Sequence, residues 1–208
     1  MWVRILGFMD SETMGMKLLR IPAMLFFLLC LSSYRLTMPF AQTIPAEGDM
    51  FPDLKLPLPP KMQEREYLQI DRGPFLLSQI DSKVLIVEIF SIYCPVCQKE
   101  APVVNLLFRA ISANPEIESR VKLLAIGAGN SLYEINAFRN LFKVKFPLIP
   151  DVDFSVQKIL GEVRTPYFFV LLKKPTGMQV AYSRQGGIED PEAFLELVCA
   201  RTGIGKGK

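Results

Sequence analysis

The stretch that most constrains the fold is a run of apolar and β-branched residues followed closely by two cysteines. Residues 84–90 read VLIVEIF, and Cys94-Pro95-Val96-Cys97 comes after three further residues, before a pattern with helical spacing. This change of pattern predicts a buried strand that delivers both cysteines to the beginning of a helix, where Pro95 is tolerated in the first turn. Backbone N–H groups and the helix dipole favour a thiolate there. The sequence therefore predicts a redox-active pair of sulfurs.

The residues around this pair resemble the active-site segment of the thioredoxin-like superfamily. The segment FSIYCPVCQKEAP (90–102) is most similar to the exported, membrane-tethered thiol-disulfide oxidoreductases of the TlpA and ResA type. Glu88 lies six residues before the first cysteine, where thioredoxins place a buried carboxylate, and Pro102 lies five after the second, where they place a helix-kinking proline. Thr165-Pro166 resembles the pair with a cis peptide bond that faces the disulfide.

The resemblance implies an α/β, thioredoxin-like fold: a central mixed sheet with helices on both faces and an N-terminal hairpin extension. Residues 66–70 and 74–77, with Asp71-Arg72-Gly73 between them, are predicted to form that hairpin. The remaining periodicity agrees with the fold. It predicts strands at 121–127, 167–172 and 178–183, helices at 132–142 and 154–160, and a last helix from Asp190-Pro191.

The chain divides into four predicted regions. Residues 1–41 form an export signal or an uncleaved N-terminal membrane anchor, because positive charge precedes an apolar block that is short for a membrane span. Residues 42–63 form a proline-rich linker that lifts the domain off the membrane. Residues 64–203 form the thioredoxin-like domain, and residues 204–208 a flexible tail. This organisation predicts a periplasmic or other extracytoplasmic protein.

Composition excludes several kinds of site. The chain has four cysteines and no histidine, and the cysteines outside the pair, Cys30 and Cys199, are isolated. Cys-His and Ser-His catalysis are therefore excluded, and we predict neither a metal site nor a cofactor. Beyond residue 41 the chain carries 20 basic and 19 acidic residues, which gives no reason to expect a nucleic-acid partner.

The resemblance assigns a role to each residue near the pair. Cys94, the more exposed sulfur, attacks a substrate disulfide, and Cys97 then releases the mixed disulfide. Glu88 interrupts an apolar strand, so its pKa is expected to be raised, and it is predicted to help deprotonate Cys97 through water. The alternative is a salt-bridged or edge-exposed glutamate.

The same resemblance places substrate contacts at Tyr93, Pro95, Thr165 and Pro166. A cis bond before Pro166 turns the backbone of Thr165 outward to pair with an extended substrate. Pro166 is alternatively the first residue of a strand. Tyr93 contacts the substrate or caps the core. Cys199 is predicted to be a small core residue of the last helix.

Two rival functions remain open. The run Ser91-Ile92-Tyr93-Cys94 fits a peroxiredoxin loop, for which Arg164 would be the arginine, although Val87 stands where that motif has proline. The other rival is a non-catalytic redox or metal-binding module of the same fold. Exported modules of that kind use a histidine, and this chain has none.

The direction of electron flow is also open. The TlpA and ResA resemblance implies a reductant of disulfide-bearing proteins, apocytochrome c among them, recharged by a membrane electron donor. The proline-first Cys-Pro-Val-Cys motif resembles instead glutaredoxins and exported disulfide isomerases and oxidases.

Overall fold

A computed structural model of the chain describes residues 43–205, so the predicted export signal or anchor lies outside the described residues. The strands are β1 Lys55–Leu56, β2 Phe75–Leu76, β3 Val84–Phe90, β4 Val121–Ala128, β5 Leu148–Asp151, β6 Tyr167–Lys174 and β7 Gly177–Gln185. The α-helices are α1 Met62–Leu68, α2 Pro95–Ser112, α3 Pro115–Glu118, α4 Leu132–Phe142, α5 Ser155–Ile159 and α6 Pro191–Thr202. Between residues 43 and 205 no helix is long and apolar enough to cross a membrane.

Five strands form a mixed sheet in the order β5-β4-β3-β6-β7. β3 runs parallel to β4 and antiparallel to β6, so it lies at the centre. Every residue of β3 and β4 is buried, as their unbroken apolar runs predict for strands covered on both faces. The predicted mixed sheet with helices on both faces is confirmed.

The two faces of β3 pack against different layers. Val84 and Ile86 belong to the core cluster that α2, α4 and α6 cover, whereas Leu85 and Val87 belong to the cluster covered by α1, α5 and the N-terminal segment. Successive side chains of a strand point to opposite faces, so Glu88 shares the face of Val84 and Ile86. The sheet therefore turns this carboxylate toward α2.

The N-terminal antiparallel pair is present, but its first strand was predicted at the wrong place. β2 pairs with β1, with Leu56 opposite Phe75, and residues 66–68 of the predicted strand lie in α1. A helix forms because it buries Leu68 and brings Glu64 to Arg139, and Gln69 ends it in the left-handed conformation. Tertiary contacts therefore decide the state of this short segment.

The proline-rich segment also differs from its prediction as a free tether. Its side chains Phe51, Leu54 and Leu56 are buried in the core cluster. The ring of Phe51 packs edge-on against Phe169 of β6, with centroids 5.0 Å apart. The described part of the predicted linker is thus part of the folded body, and the buried side chain of Ile204 likewise places the start of the predicted tail within it.

Candidate active site

The two cysteines lie where β3 passes into α2, on a loop that is fixed from several sides. The backbone N–H of Ile92 donates to Asn130 Oδ1 after β4 at 3.0 Å, and Gln98 Nε2 donates to the carbonyl of Ile92 at 2.8 Å. The N–H of Cys94 donates to the carbonyl of Ser91 at 3.1 Å. These contacts hold the loop rigidly, so the first sulfur has a defined position.

Cys94 is the N-cap of α2 and Pro95 is its first residue, as the sequence predicts. The backbone N–H of Cys97 donates to Cys94 Sγ at 3.3 Å. Cys94 is partly exposed, whereas Cys97 is only 1% exposed. One sulfur is therefore open to a substrate and the other is enclosed.

The pKa of the exposed thiol is lowered and that of the buried thiol is raised, which is the difference that nucleophilic attack by the exposed thiol requires. Burial alone raises the pKa of Cys94, but hydrogen bonds from the thiol and the backbone N–H of Cys97 outweigh it and bring the pKa below the ordinary value of 9.0. Burial raises the pKa of Cys97, and the hydrogen bond to Cys94 and the nearby charge of Glu88 add to the rise. Cys94 therefore ionises first.

Glu88 lies in the central strand and is 4% exposed, so the edge-exposed alternative is wrong. No salt bridge among residues 43–205 includes it. Burial, the neighbouring carboxylate of Glu100 and the charge of Cys94 raise the pKa of Glu88 to about 8. Its proton is thus exchanged near neutral pH, which is the range a general acid or base needs.

Glu100 is a second buried carboxylate that the sequence analysis missed. It lies on α2 three residues after Cys97, and it accepts a hydrogen bond from the backbone N–H of Ile188. Burial raises its pKa, and that hydrogen bond partly opposes the rise. A Cβ atom on Gly187 would clash with Glu100 Oε2, so the loop approaches the carboxylate closely. Its spacing from Cys97 on the buried face of a helix was the available signal.

Thr165 and Pro166 come together with the cysteines, although 71 residues separate Thr165 from Cys94. The thiol of Cys94 donates to the carbonyl oxygen of Thr165 at 3.4 Å. The peptide bond between Thr165 and Pro166 is cis, and the carbonyl of Pro166 accepts from the N–H of Gly186 at 2.9 Å. The residues just before β6 and just after β7 thus lie together, and Thr165 among them contacts the first sulfur.

Tyr93 is 67% exposed, so the alternative that it caps the core is wrong. Its hydroxyl donates to a carboxylate oxygen of Glu134 on α4. Pro95 is also exposed. Both side chains are therefore open to a partner that approaches Cys94.

Among residues 43–205 no group of three or more His, Cys, Asp or Glu side chains is arranged to hold a metal ion. Cys199 is partly buried and packs against the core, as predicted, and Cys30 lies outside the described residues.

Comparison with solved structures identifies the architecture. A putative thiol:disulfide interchange protein DsbE from Chlorobium tepidum is 19% identical, with a TM-score of 0.58 over 76% of this chain and 99% of that one. A putative protein disulfide isomerase from Bacteroides thetaiotaomicron is also 19% identical, with a TM-score of 0.58 over 79% and 92%. The thioredoxin domain of a thiol-disulfide oxidoreductase from Bacteroides vulgatus is 15% identical, with a TM-score of 0.53 over 74% and 98%.

No protein-family model matches the chain, and no curated protein matches it. The likeness to these structures establishes the thioredoxin-like fold.

Proposed function

We propose that the protein is a thiol-disulfide oxidoreductase that exchanges electrons with protein disulfides through Cys94 and Cys97. The observation that carries the proposal is the asymmetry of the two sulfurs. Cys94 is accessible, accepts a hydrogen bond at a helix N-terminus and has a lowered pKa, whereas Cys97 is enclosed and has a raised pKa. An attacking thiol needs the first set of properties and a resolving thiol tolerates the second.

In the reducing direction, the Cys94 thiolate attacks one sulfur of the substrate disulfide. A mixed disulfide forms and the other substrate sulfur leaves as a thiolate, which takes up a proton. Cys97 loses its proton and attacks the sulfur of Cys94, so the Cys94–Cys97 disulfide forms and the second substrate thiol is released. Two electrons pass from the cysteine pair to the substrate.

The second attack needs a base, because the pKa of Cys97 is raised. Glu88 lies on the face of β3 that turns toward α2, and the ionised fraction of its carboxyl group, which grows as the pH approaches the pKa of about 8, can accept the Cys97 proton. Glu100 raises the pKa of Glu88 and so sets the pH range of this transfer.

The substrate chain is proposed to lie along the wall formed by Thr165 and Pro166 and to meet Tyr93 and Pro95, the exposed neighbours of Cys94 in the chain. The proximity of the Thr165 carbonyl to the sulfur of Cys94 supports this position, since an extended chain can pair with backbone groups there.

The location and the direction are part of the proposal. The sequence of residues 1–41 supports export to a periplasm or the outer face of a membrane, with an anchor if it is not cleaved. There the protein would act as a reductant of disulfide-bearing proteins such as apocytochrome c, recharged by a membrane electron donor.

Variants of the two cysteines test the mechanism. Cys94→Ser should abolish reduction of a protein disulfide, because the attacking thiolate is lost. Cys97→Ser should still attack but should accumulate the mixed disulfide, which mass spectrometry detects. Reduction of insulin by the Cys94→Ser protein at the wild-type rate would contradict the assignment.

The reduction potential, measured by equilibration in glutathione buffers, tests the direction. A value near the roughly −270 mV of thioredoxin supports a reductant, whereas a value near the roughly −120 mV of a strong periplasmic oxidant reverses the proposed direction.

A further inference from the structure

A cleft of about 500 Å³ lies beside the buried ion pair of Glu64 and Arg139. Its lining side chains come from α1 and the residue before it, from α2, from α4 and from the loop between α4 and β5. None of them is a residue of the proposed cysteine site. A ligand bound here would therefore be separate from the substrate of disulfide exchange.

Arg139 is the buried cation of this cleft, and its guanidinium group is only partly used. Nη1 donates to Glu64 and to the carbonyl of Phe146. Among residues 43–205, the enclosed atoms Nε and Nη2 have no hydrogen-bond partner. Buried N–H groups in native proteins normally have an acceptor, because leaving one without a partner costs free energy. The Nε–Nη2 edge of a guanidinium presents two parallel N–H groups, which match two oxygens of a phosphate or carboxylate.

The charge of the lining favours an anion. Lys61 and Lys145 are exposed and also line the cleft, and neither forms a salt bridge within residues 43–205. Together with Arg139 they give three cations, whereas Glu64 is the one carboxylate of the lining. The lining thus has an excess of two positive charges. A phosphate monoester carries about two negative charges near neutral pH, whereas a carboxylate carries one, so the charge favours a phosphate.

The rest of the lining favours an organic molecule over a bare ion. Apart from Gln63, the remaining side chains are apolar or aromatic, and they are Tyr67, Phe108, Val144 and Pro147. The rings of Tyr67 and Phe108 pack edge-on, with centroids 5.3 Å apart. The volume lies in the range of pockets that bind small organic molecules, roughly 300–1,000 Å³. A ligand that fills the cleft therefore carries an apolar group beside its phosphate.

We propose that this cleft binds a small organic phosphate. The phosphate group lies among Lys61, Lys145 and the Nε–Nη2 edge of Arg139, and the apolar group packs against Tyr67 and Phe108. Because Nε and Nη2 are enclosed, the exposed lysine side chains change rotamer as the ligand enters, which exposed side chains do rapidly. The lining joins α1 to α4, so the bound ligand stabilises the folded state.

Calorimetric titration and thermal denaturation of the full-length chain test the site, with phenyl phosphate as the probe, at about pH 8 and constant ionic strength. Phenyl phosphate should bind with a Kd below about 1 mM and raise Tm. Inorganic phosphate, which lacks the ring, and benzoate, which carries one charge, should each bind at least about ten-fold more weakly. No binding of phenyl phosphate up to about 10 mM would overturn the proposal. Equal affinities for the three probes would also overturn it, because the cleft would then select neither charge nor shape.

A pair of lysine variants places the ligand in the cleft. Lys145→Gln removes a cation of the lining and should raise Kd for phenyl phosphate about ten-fold, the size of one hydrogen bond between charged groups. Lys143→Gln is the matched control, because it removes the same charge from an exposed residue of the same loop that does not line the cleft. It should change Kd by less than about two-fold. Equal losses of affinity in both variants would mean general attraction to positive charge and would overturn the proposal.

Arg139→Lys tests the contribution of the guanidinium edge. It keeps a positive charge beside Glu64 but lacks the paired N–H groups, so Kd for phenyl phosphate should rise at least about ten-fold. Circular dichroism and urea denaturation check that the variant folds. A folded Arg139→Lys protein that binds phenyl phosphate as tightly as the wild type would overturn the proposal. If the variant does not fold, the comparison of Lys145→Gln with Lys143→Gln decides.

Discussion

Two buried glutamates, Glu64 and Glu88, have nearly the same exposure, 5% and 4%, but opposite surroundings. Glu64 on α1 forms an ion pair with buried Arg139 on α4. Glu88 on β3 faces a second carboxylate, Glu100. Burial raises the pKa of both, but Arg139 opposes the rise at Glu64 whereas Glu100 reinforces it at Glu88. The sign of the neighbouring charge, and not burial alone, separates a structural glutamate from a chemically poised one.

The ion pair has a structural consequence. It connects α1, which belongs to the N-terminal extension, to α4 of the body, and Arg139 also donates to the carbonyl of Phe146 at 3.4 Å. Each partner stays ionised in the protein interior only while the other is present. The carboxylates near the cysteines have no such counter-charge, so they gain a proton more readily.

The largest expected effect comes from removing one member of the ion pair. Arg139→Met should lower the free energy of unfolding by about 3 to 5 kcal/mol, because Glu64 is left buried without its counter-charge. Urea denaturation at neutral pH measures the loss. The double variant Glu64→Gln/Arg139→Met should recover most of it. If the free energy of unfolding of Arg139→Met lies within about 1 kcal/mol of the wild type, the ion pair does not stabilise the fold and Glu64 has no structural role.

Replacing Glu88 by a residue that cannot ionise should raise the free energy of unfolding, the opposite of the effect expected for Arg139→Met. In the unfolded chain Glu88 ionises above its ordinary pKa of 4.5, whereas in the folded protein it stays protonated up to a pKa of about 8. The folded state therefore loses stability as pH rises from 4.5 to 8, and not below 4.5. Glu88→Gln removes that loss and should raise the free energy of unfolding at neutral pH by about 3 kcal/mol.

Urea denaturation of wild type and Glu88→Gln at acidic and neutral pH measures this difference. The two proteins should be similar in stability near pH 4.5, the ordinary pKa of the carboxyl group, and should diverge as the pH rises. Equal stability at both pH values would mean that Glu88 is not held neutral in the folded protein.

The smallest expected effect is a change in pH dependence when the charge of Glu100 beside Glu88 is removed. Glu100→Gln keeps an acceptor for the N–H of Ile188 but removes the charge that raises the pKa of Glu88. The pH profile of mixed-disulfide release should therefore move to lower pH, by up to about one pH unit. Rapid-quench kinetics measure the profile, and Glu196→Gln, an exposed change on α6, is the control. A shift to higher pH would contradict the repulsion between the two carboxylates.

The elements that the sequence predicts best are those with the strongest local signal. β3 and β4 have unbroken apolar runs, and α4 begins after the Ser131 cap and has the predicted bounds, 132–142. Residues 66–68, the end of α1, were predicted as part of a strand at 66–70 because so short a segment has no decisive periodicity, and the contact of α1 with α4 favours the helix. β5 has only four residues, too few for a pattern that distinguishes a strand from a loop.

The residues of the candidate site also differ in how readily the sequence predicts them. Cys94, Cys97 and Glu88 are recognisable because a motif or a broken apolar run marks them. Glu100 stands among polar residues after the second cysteine, and its burial depends on the loop at Gly187, far away in the chain. The contact between Tyr93 and Glu134 likewise joins distant segments. Local patterns identify the reacting groups, whereas long-range packing decides which side chains tune and orient them.

The N-terminal extension has one more consequence, for self-association. An open sheet edge offers unpaired N–H and C=O groups to which a second chain can add a strand. The N–H groups of Gly48 and Phe51 donate to the carbonyls of Val180 and Met178 and so cover part of the β7 edge. At the opposite side, where β5 does not reach, the Tyr67 hydroxyl accepts the N–H of Leu123. The extension therefore protects part of the β7 edge and one N–H group of β4 against intermolecular strand addition, the first step of aggregation through the sheet.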